Sequence, residues 1–189
     1  YGTSNVLRYN GTTGAFIGHI IVFSQAGNDD IQIVQSISLP AIVHGDEGND
    51  RIKGGRGDDI LIGGDGDDLL VGGNGRDLLI GGMRADTLDG AAGEDILIGG
   101  TSSHSGDVAA LNAIMAEWTS ADNYATRTAN LLNGGGANSA TKLASSTVQN
   151  DSSAADKLTG SADLDWFFRS SADVLIDFTI PAATITNLE

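Results

Sequence analysis

"GGRGDDILIGGDGDDLLVGGNGRDLLIGG", residues 54–82, is three nonapeptides in tandem running into the first two glycines of a fourth. Glycine forfeits backbone entropy on folding, and clustered carboxylates repel. A chain that repeats both must recover something from the arrangement. Number each unit G1-G2-x3-G4-x5-D6-x7-U8-x9, with U a large aliphatic. Units then start at Gly45, Gly54, Gly63, Gly72, Gly81 and Gly90, and Gly99-Gly100 begins a seventh that breaks off. Position 6 is always aspartate: Asp50, Asp59, Asp68, Asp77, Asp86 and Asp95. Position 8 is Ile52, Leu61, Leu70, Leu79, Leu88 and Leu97. So long a run in one register is the signature of a solenoid, not of a disordered Gly/Asp linker, which would not fix an aliphatic in each unit.

The residues after each aspartate are aliphatic and bounded by glycines, which predicts a very short strand. The residues before it predict a turn whose glycines permit positive φ and leave carbonyls free. So short a strand cannot bury itself, so the units must stack. Stacked carboxylates need a cation between them, and a hard ion that takes six to eight oxygens is calcium. Glycines free the carbonyls, aspartates supply charge, and the ion offsets the repulsion.

Composition agrees. The net charge is −15, with 25 acidic residues against 10 basic ones. Between Asp46 and Asp95 lie 13 of those acids and only five Lys or Arg. Nucleic acid and anionic membrane surfaces are poor partners for such a chain, and cations are good ones. Cysteine is absent, so no disulfide framework is expected. No apolar run is long enough to span a bilayer. The chain opens on Tyr1, which suggests a fragment or a processed form.

The units resemble the RTX (repeats-in-toxin) nonapeptide, a calcium-binding parallel β-helix motif. The resemblance implies a mainly β fold: a parallel β-roll with two nonapeptides per coil and calcium held in the turns. It implies that Asp50, Asp68 and Asp86 stack on one edge, and Asp59, Asp77 and Asp95 on the other, with up to four ions sandwiched. Gly54, Gly57, Gly63, Gly66, Gly72 and Gly75 then belong to the ion-holding turns. Asp95 ends its edge on this reading. Asp46 and Ala91 stand where G2 is expected, and Arg84 stands at G4, where a left-handed conformation is required. The Asp68/Asp86 site is expected to be weakened by that arginine.

Around the roll, assigned to residues 25–100, the expectations are less regular. Residues 1–24 read as a strand lead-in around Asn10-Gly11 that resembles a blade piece of an NHL-type β-propeller. "QAGNDDIQIV" from Gln25 is a degenerate unit with Asp29 at position 6, followed by three surplus residues and Pro40. Residues 101–135 predict a helical insertion, with Val108, Leu111, Met115 and Trp118 on one face beside Ile114, and then Tyr124, Thr128, Leu131 and Leu132. Residues 136–189 predict degenerate capping repeats: Asp156 and Leu158, then Asp165 and Phe167, take positions 6 and 8, with aromatics in place of calcium. "DWFFRSSADVLIDF" resembles the tail that follows RTX repeats in type I secreted proteins, and the helical stretch resembles one in large multidomain RTX proteins of environmental bacteria.

No catalytic constellation is legible. His19, His44 and His104 stand apart, and "SSHSGD" at 102–107 is contiguous, whereas triads assemble from distant segments. Arg56-Gly57-Asp58 falls out of the repeat register. The chain is read as a non-enzymatic, calcium-binding structural or adhesive module of an extracellular, secreted or cell-surface protein. The alternatives are the secretion and folding tail of a type I secreted hydrolase, and a self-assembling filament subunit. Positions 7 and 9 point outward, so one face collects Ile60, Ile62, Leu78, Ile80, Ile96 and Ile98. So apolar a patch needs cover. Either the 107–132 segment folds back over it, or it is an interface for a second copy or a surface partner.

Overall fold

The computed structural model describes residues 18–138, 140–151, 154–161, 163–176 and 184–188. The expected turn at Asn10-Gly11 and the Asp177-Phe178 end of the tail motif lie outside them. Strands β1 (Ile20–Phe23), β2 (Asp30–Gln32), β3 (Ala41–Glu47), β4 (Arg51–Lys53), β5 (Ile60–Asp65), β6 (Leu69–Asn74), β7 (Leu78–Met83), β8 (Thr87–Ala92) and β9 (Ile96–Ile98) follow one another without a helix. After β10 (Thr101–Ser102) come helices α1 (Val108–Trp118) and α2 (Tyr124–Asn133), then β11 (Val148–Gln149), β12 (Lys157–Thr159), β13 (Trp166–Arg169), β14 (Val174–Ile176) and β15 (Thr184–Asn187).

Successive strands alternate between two sheets. One runs β1-β3-β5-β7-β9-β13-β15 and the other β14-β12-β8-β6-β4-β2, with the pairs in both parallel. Ile60 pairs with Leu78, and Leu69 with Thr87, so one coil is two nonapeptides. The parallel roll with a helical insertion is therefore the fold. Its first coil is longer: Ile20 faces Ala41 and Asp30 faces Arg51, which puts the surplus residues between β2 and β3, where Pro40 lies. Among the described residues the roll already includes Ile20–Phe23, inside the segment read as a lead-in.

The seventh unit does not break off; it is split. In regular units a Cβ on the first glycine would collide with that unit's own aspartate, as at Gly63 against Asp68 or Gly72 against Asp77. At Gly99 the colliding carboxylate is that of Asp156. The backbone N–H of Asp68 reaches Asp86 across 18 residues, whereas the same bond from Asp86 to Asp156 spans 70, so 52 residues are spliced into one turn. β10 and β11 pair antiparallel and close the neck of this excursion. The insertion thus ends near Gln149 and not at residue 135, and β12 to β15 resume the coil in register.

Two apolar layers hold the molecule together. Inside the roll the position-8 side chains Ile52, Leu61, Leu70, Leu79, Leu88, Leu97, Leu158 and Phe167 stack, all buried. Outside, Ile60, Ile62, Leu78, Ile80, Ile96 and Ile98 pack against Leu111, Ile114, Met115 and Trp118 of α1, with Leu131, Leu143 and Val148. Burial of each such aliphatic is worth about 1.5–3 kcal/mol. The six aliphatics read as a self-association or partner surface are between 0% and 5% exposed under the chain's own insertion, so they offer no interface. Leu132, assigned to the buried face of α2, is instead exposed, and Arg127 is buried in that helix.

The helices start and stop as their ends direct. Asp107 caps α1 by accepting from Ala109 and Ala110 N–H at 2.9 and 3.1 Å, and Asn123 caps α2 through Thr126 N–H. α2 ends at Gly134, with φ of 79°. A polar clamp docks the pair onto one turn edge. Glu94 forms ion pairs with Arg76 and Arg127. Both arginines donate to the Trp118 carbonyl, at the α1 C-terminus where cations are favoured. The Trp118 indole N–H donates to the Glu94 carbonyl at 2.7 Å, and the Arg127 guanidinium lies 4.8 Å over that ring.

Candidate metal centre

Each nonapeptide turns its aspartate inward at the coil corner, and the stacking makes two ladders. On one edge Asp50 N–H donates to Asp68 Oδ1 at 2.7 Å, and Asp68 N–H to Asp86 Oδ1 at 2.8 Å. On the other, Asp59 N–H donates to Asp77 Oδ1 at 2.7 Å, and Asp77 N–H to Asp95 Oδ1 at 2.8 Å. The two sets of three aspartates stack as the resemblance implied. The ladders are also longer. Asp29 precedes Asp50, Asp156 follows Asp86 with Asp173 beyond it, and Asp165 follows Asp95. Asp95 therefore does not end its edge.

The second carboxylate oxygen carries the chemistry. Oδ2 of Asp29, Asp50, Asp68, Asp77, Asp86, Asp95 and Asp156 is buried without a hydrogen-bond partner. A buried polar atom left unpaired costs about 1–3 kcal/mol, more when charged. The pattern recurs along both edges; Asp59 is the exception, its Oδ2 accepting the Gly55 N–H at 2.7 Å. Burial accordingly pushes the Asp50 and Asp59 carboxyls up to about 6, against the N–H bonds that oppose the shift. Asp86 rises to about 9, through burial first and then the charges of Asp68 and Asp156. Burial and the Asp77 charge push Asp95 to about 10, and burial raises Asp68 and Asp77 in the same direction. Asp156 and Asp165 reach about 7 by burial.

The glycines explain how coils approach closely enough to share an ion. A Cβ on Gly63 would lie 2.5 Å from the Gly81 carbonyl, and on Gly72 2.7 Å from the Gly90 carbonyl, besides striking the aspartate of its own unit. Gly54 is constrained in the same way by Gly72 and Asp59. At position 4, a Cβ on Gly57 would sit 2.6 Å from the Leu39 carbonyl, while Gly66 and Gly75 face the carbonyls of Gly48 and Gly57. Gly75, with φ of 123°, also adopts a backbone that other residues avoid. The three departures share that demand: Asp46 and Ala91 hold φ of 70°, and Arg84 holds 85°. Each carries about 1 kcal/mol or more of strain.

Among the described residues no three His, Cys, Asp or Glu side chains converge on one point. An ion on either edge would therefore take one or two carboxylates and complete its shell with main-chain oxygens. Such an all-oxygen set suits a hard cation of flexible coordination, and the partnerless Oδ2 atoms fit that use. A second ladder escaped the sequence reading. Position-5 side chains of Asn28, Asn49 and Asp58 accept the N–H of the position-5 residue in the next coil, Asn49, Asp67 and Arg76. The run of Asn and Asp at that position was its signal.

Residues 44–79 and 80–102 match the model of the RTX calcium-binding nonapeptide repeat, in four copies. No curated protein and no solved structure matches the chain.

Proposed function

We propose, for a chain whose residues 44–102 are RTX calcium-binding nonapeptide repeats, that it is a non-enzymatic module of an extracellular structural or adhesive protein which calcium folds. The repeats bind calcium; the ligands are taken to be Asp50, Asp59, Asp68, Asp77, Asp86 and Asp95 with oxygens of the glycine turns. The observation that carries this reading is the row of buried Oδ2 atoms without partners. Without a cation, folding must protonate or desolvate each of them; with one, the same atoms become ligands. Extracellular modules of this chemistry bind calcium at about 10⁻⁴ to 10⁻³ M, so a calcium-poor cytosol would leave the chain open and the outside would close it. Among the described residues no helix is long and apolar enough to cross a membrane.

Circular dichroism decides the reading. Calcium should raise the β signal, chelator should remove it, and magnesium should not replace calcium. Identical spectra with calcium and with excess chelator would sink the proposal. A second reading, the folding and secretion tail of a type I secreted hydrolase, draws on the Asp-aromatic stretch from Asp165 to Phe168. A catalytic motif upstream in the parent gene would favour it.

A further inference from the structure

We infer that Asp151, at the exit of the insertion, supplies a carboxylate to an additional divalent-cation site between the Asp86 and Asp156 turns, beyond the repeats matched by family. In regular turns the position-4 N–H donates to the main-chain carbonyl of position 3 one coil on: Gly48 to Asp65 at 2.8 Å, Gly66 to Met83 at 3.1 Å, Gly75 to Ala92 at 3.0 Å. Arg84 departs from this pattern, because the coil above is the split unit. Its N–H donates instead to Asp151 Oδ2, at 2.9 Å. A charged oxygen thus replaces a neutral one at the point where the repeat is interrupted.

The substitution leaves an excess of unpaired oxygen. Asp151 is 7% exposed, and its Oδ1 is buried without a partner. Asp86 and Asp156, joined by the Asp86 N–H to Asp156 Oδ1 bond at 2.8 Å, each leave Oδ2 buried and partnerless, and the Asp151 charge acts on both. A neutral acceptor such as Asn or Ser would have served Arg84 N–H alone. Arg84 does not neutralise the group: its side chain is exposed and forms no ion pair among the described residues. The three carboxylates do not already surround one point, but no hydrogen-bond donor competes with an ion for Asp151 Oδ1. An oxygen-only set with this much negative charge selects a hard divalent cation, calcium by the same argument as in the repeats.

The inference rests on the calcium reading above, and the test separates the two. Calorimetric titration of the whole chain with calcium gives the number of ions bound. Asp151→Asn keeps an acceptor for Arg84 N–H and removes only the charge. The expected result is one ion fewer than in the unsubstituted chain, with the helical signal at saturating calcium retained. Asp156→Asn should lose that ion too, and the double variant should lose no more at this junction than Asp156→Asn alone. An unchanged count in Asp151→Asn would overturn the inference and leave the repeat sites standing. Loss of the helical signal in that variant would overturn it in favour of a carboxylate that only holds the insertion. No binding by the unsubstituted chain would overturn the calcium reading itself.

Discussion

Replacing Asp86 with asparagine should change the sign of its effect with calcium. In the chelated protein the Asp86 carboxyl is raised to about 9, from an ordinary value of 3.8. The folded state therefore binds a proton that the unfolded state releases. Its stabilising contribution is complete below the unfolded value and lost progressively as pH rises to the folded value. At neutral pH the loss is roughly 4 kcal/mol, from a little over three units at about 1.36 kcal/mol each. Asparagine removes this dependence and keeps Oδ1 for the Asp68 N–H, a bond of 2.8 Å. Its amide, in place of the partnerless Oδ2, leaves donors unpaired at about 1–3 kcal/mol. Chelated Asp86→Asn should thus be more stable than the unsubstituted chain at neutral pH by about 1–3 kcal/mol, and lose that advantage in acid. With calcium the balance reverses. Asp86 lies between Asp68 and Asp156, and each ion forfeited at a hundred times its dissociation constant removes about 2.7 kcal/mol. Urea unfolding followed by tryptophan emission, with chelator and then with calcium, reads both signs. Equal destabilisation in the two conditions would refute the reasoning.

Three other perturbations follow from the geometry. Asp77→Ala and Asp95→Ala should lose similar amounts of bound calcium in calorimetric titration, because Asp165 stacks beyond Asp95; a loss half as large at Asp95 would place it at the end of its ladder. Gly63→Ala adds a methyl 2.5 Å from the Gly81 carbonyl, where backbone must yield. It should weaken calcium binding and lower the calcium-loaded melting temperature, whereas a neutral result would show that the coils are less tightly stacked. Leu78→Asp puts a carboxylate at a site 0% exposed beneath α1. Urea titration should show destabilisation of about 4 kcal/mol or more without a change in oligomeric state; simple dissociation of an oligomer would mean that the covering helix belongs to a second chain.

Much of this molecule is written in its local sequence. A nine-residue unit with aspartate and aliphatic fixed in place determines that the units stack; that two units make one coil, so that Asp59 stacks under Asp77 and Leu61 under Leu79, was implied by the family resemblance alone. The same alternation along a strand exposed Ile60, Leu78 and Ile96 as a face in need of cover, and the apolar stripe from Leu111 to Trp118 supplied the cover. Stacking and the strand alternation were thus legible from periodicity, whereas the register of two units per coil and the two aspartate edges came from the family resemblance.

Non-local pairing was not legible. Nothing near Gly99 announces that its aspartate is Asp156, since the partner becomes adjacent only after 52 residues loop out and return. Asp151 stands at position 1 of the unit that sets Asp156 at position 6, where the repeat has glycine; that it accepts the Arg84 N–H follows only from where the insertion re-enters the coil. Nothing in the helical periodicity singles out Arg127, which folding sets between Glu94 and the Trp118 ring. A repeat fixes the contacts of each coil with its neighbours, because those recur at a constant separation along the chain. Contacts that close over an insertion recur nowhere, and only the tertiary packing of this one chain decides them.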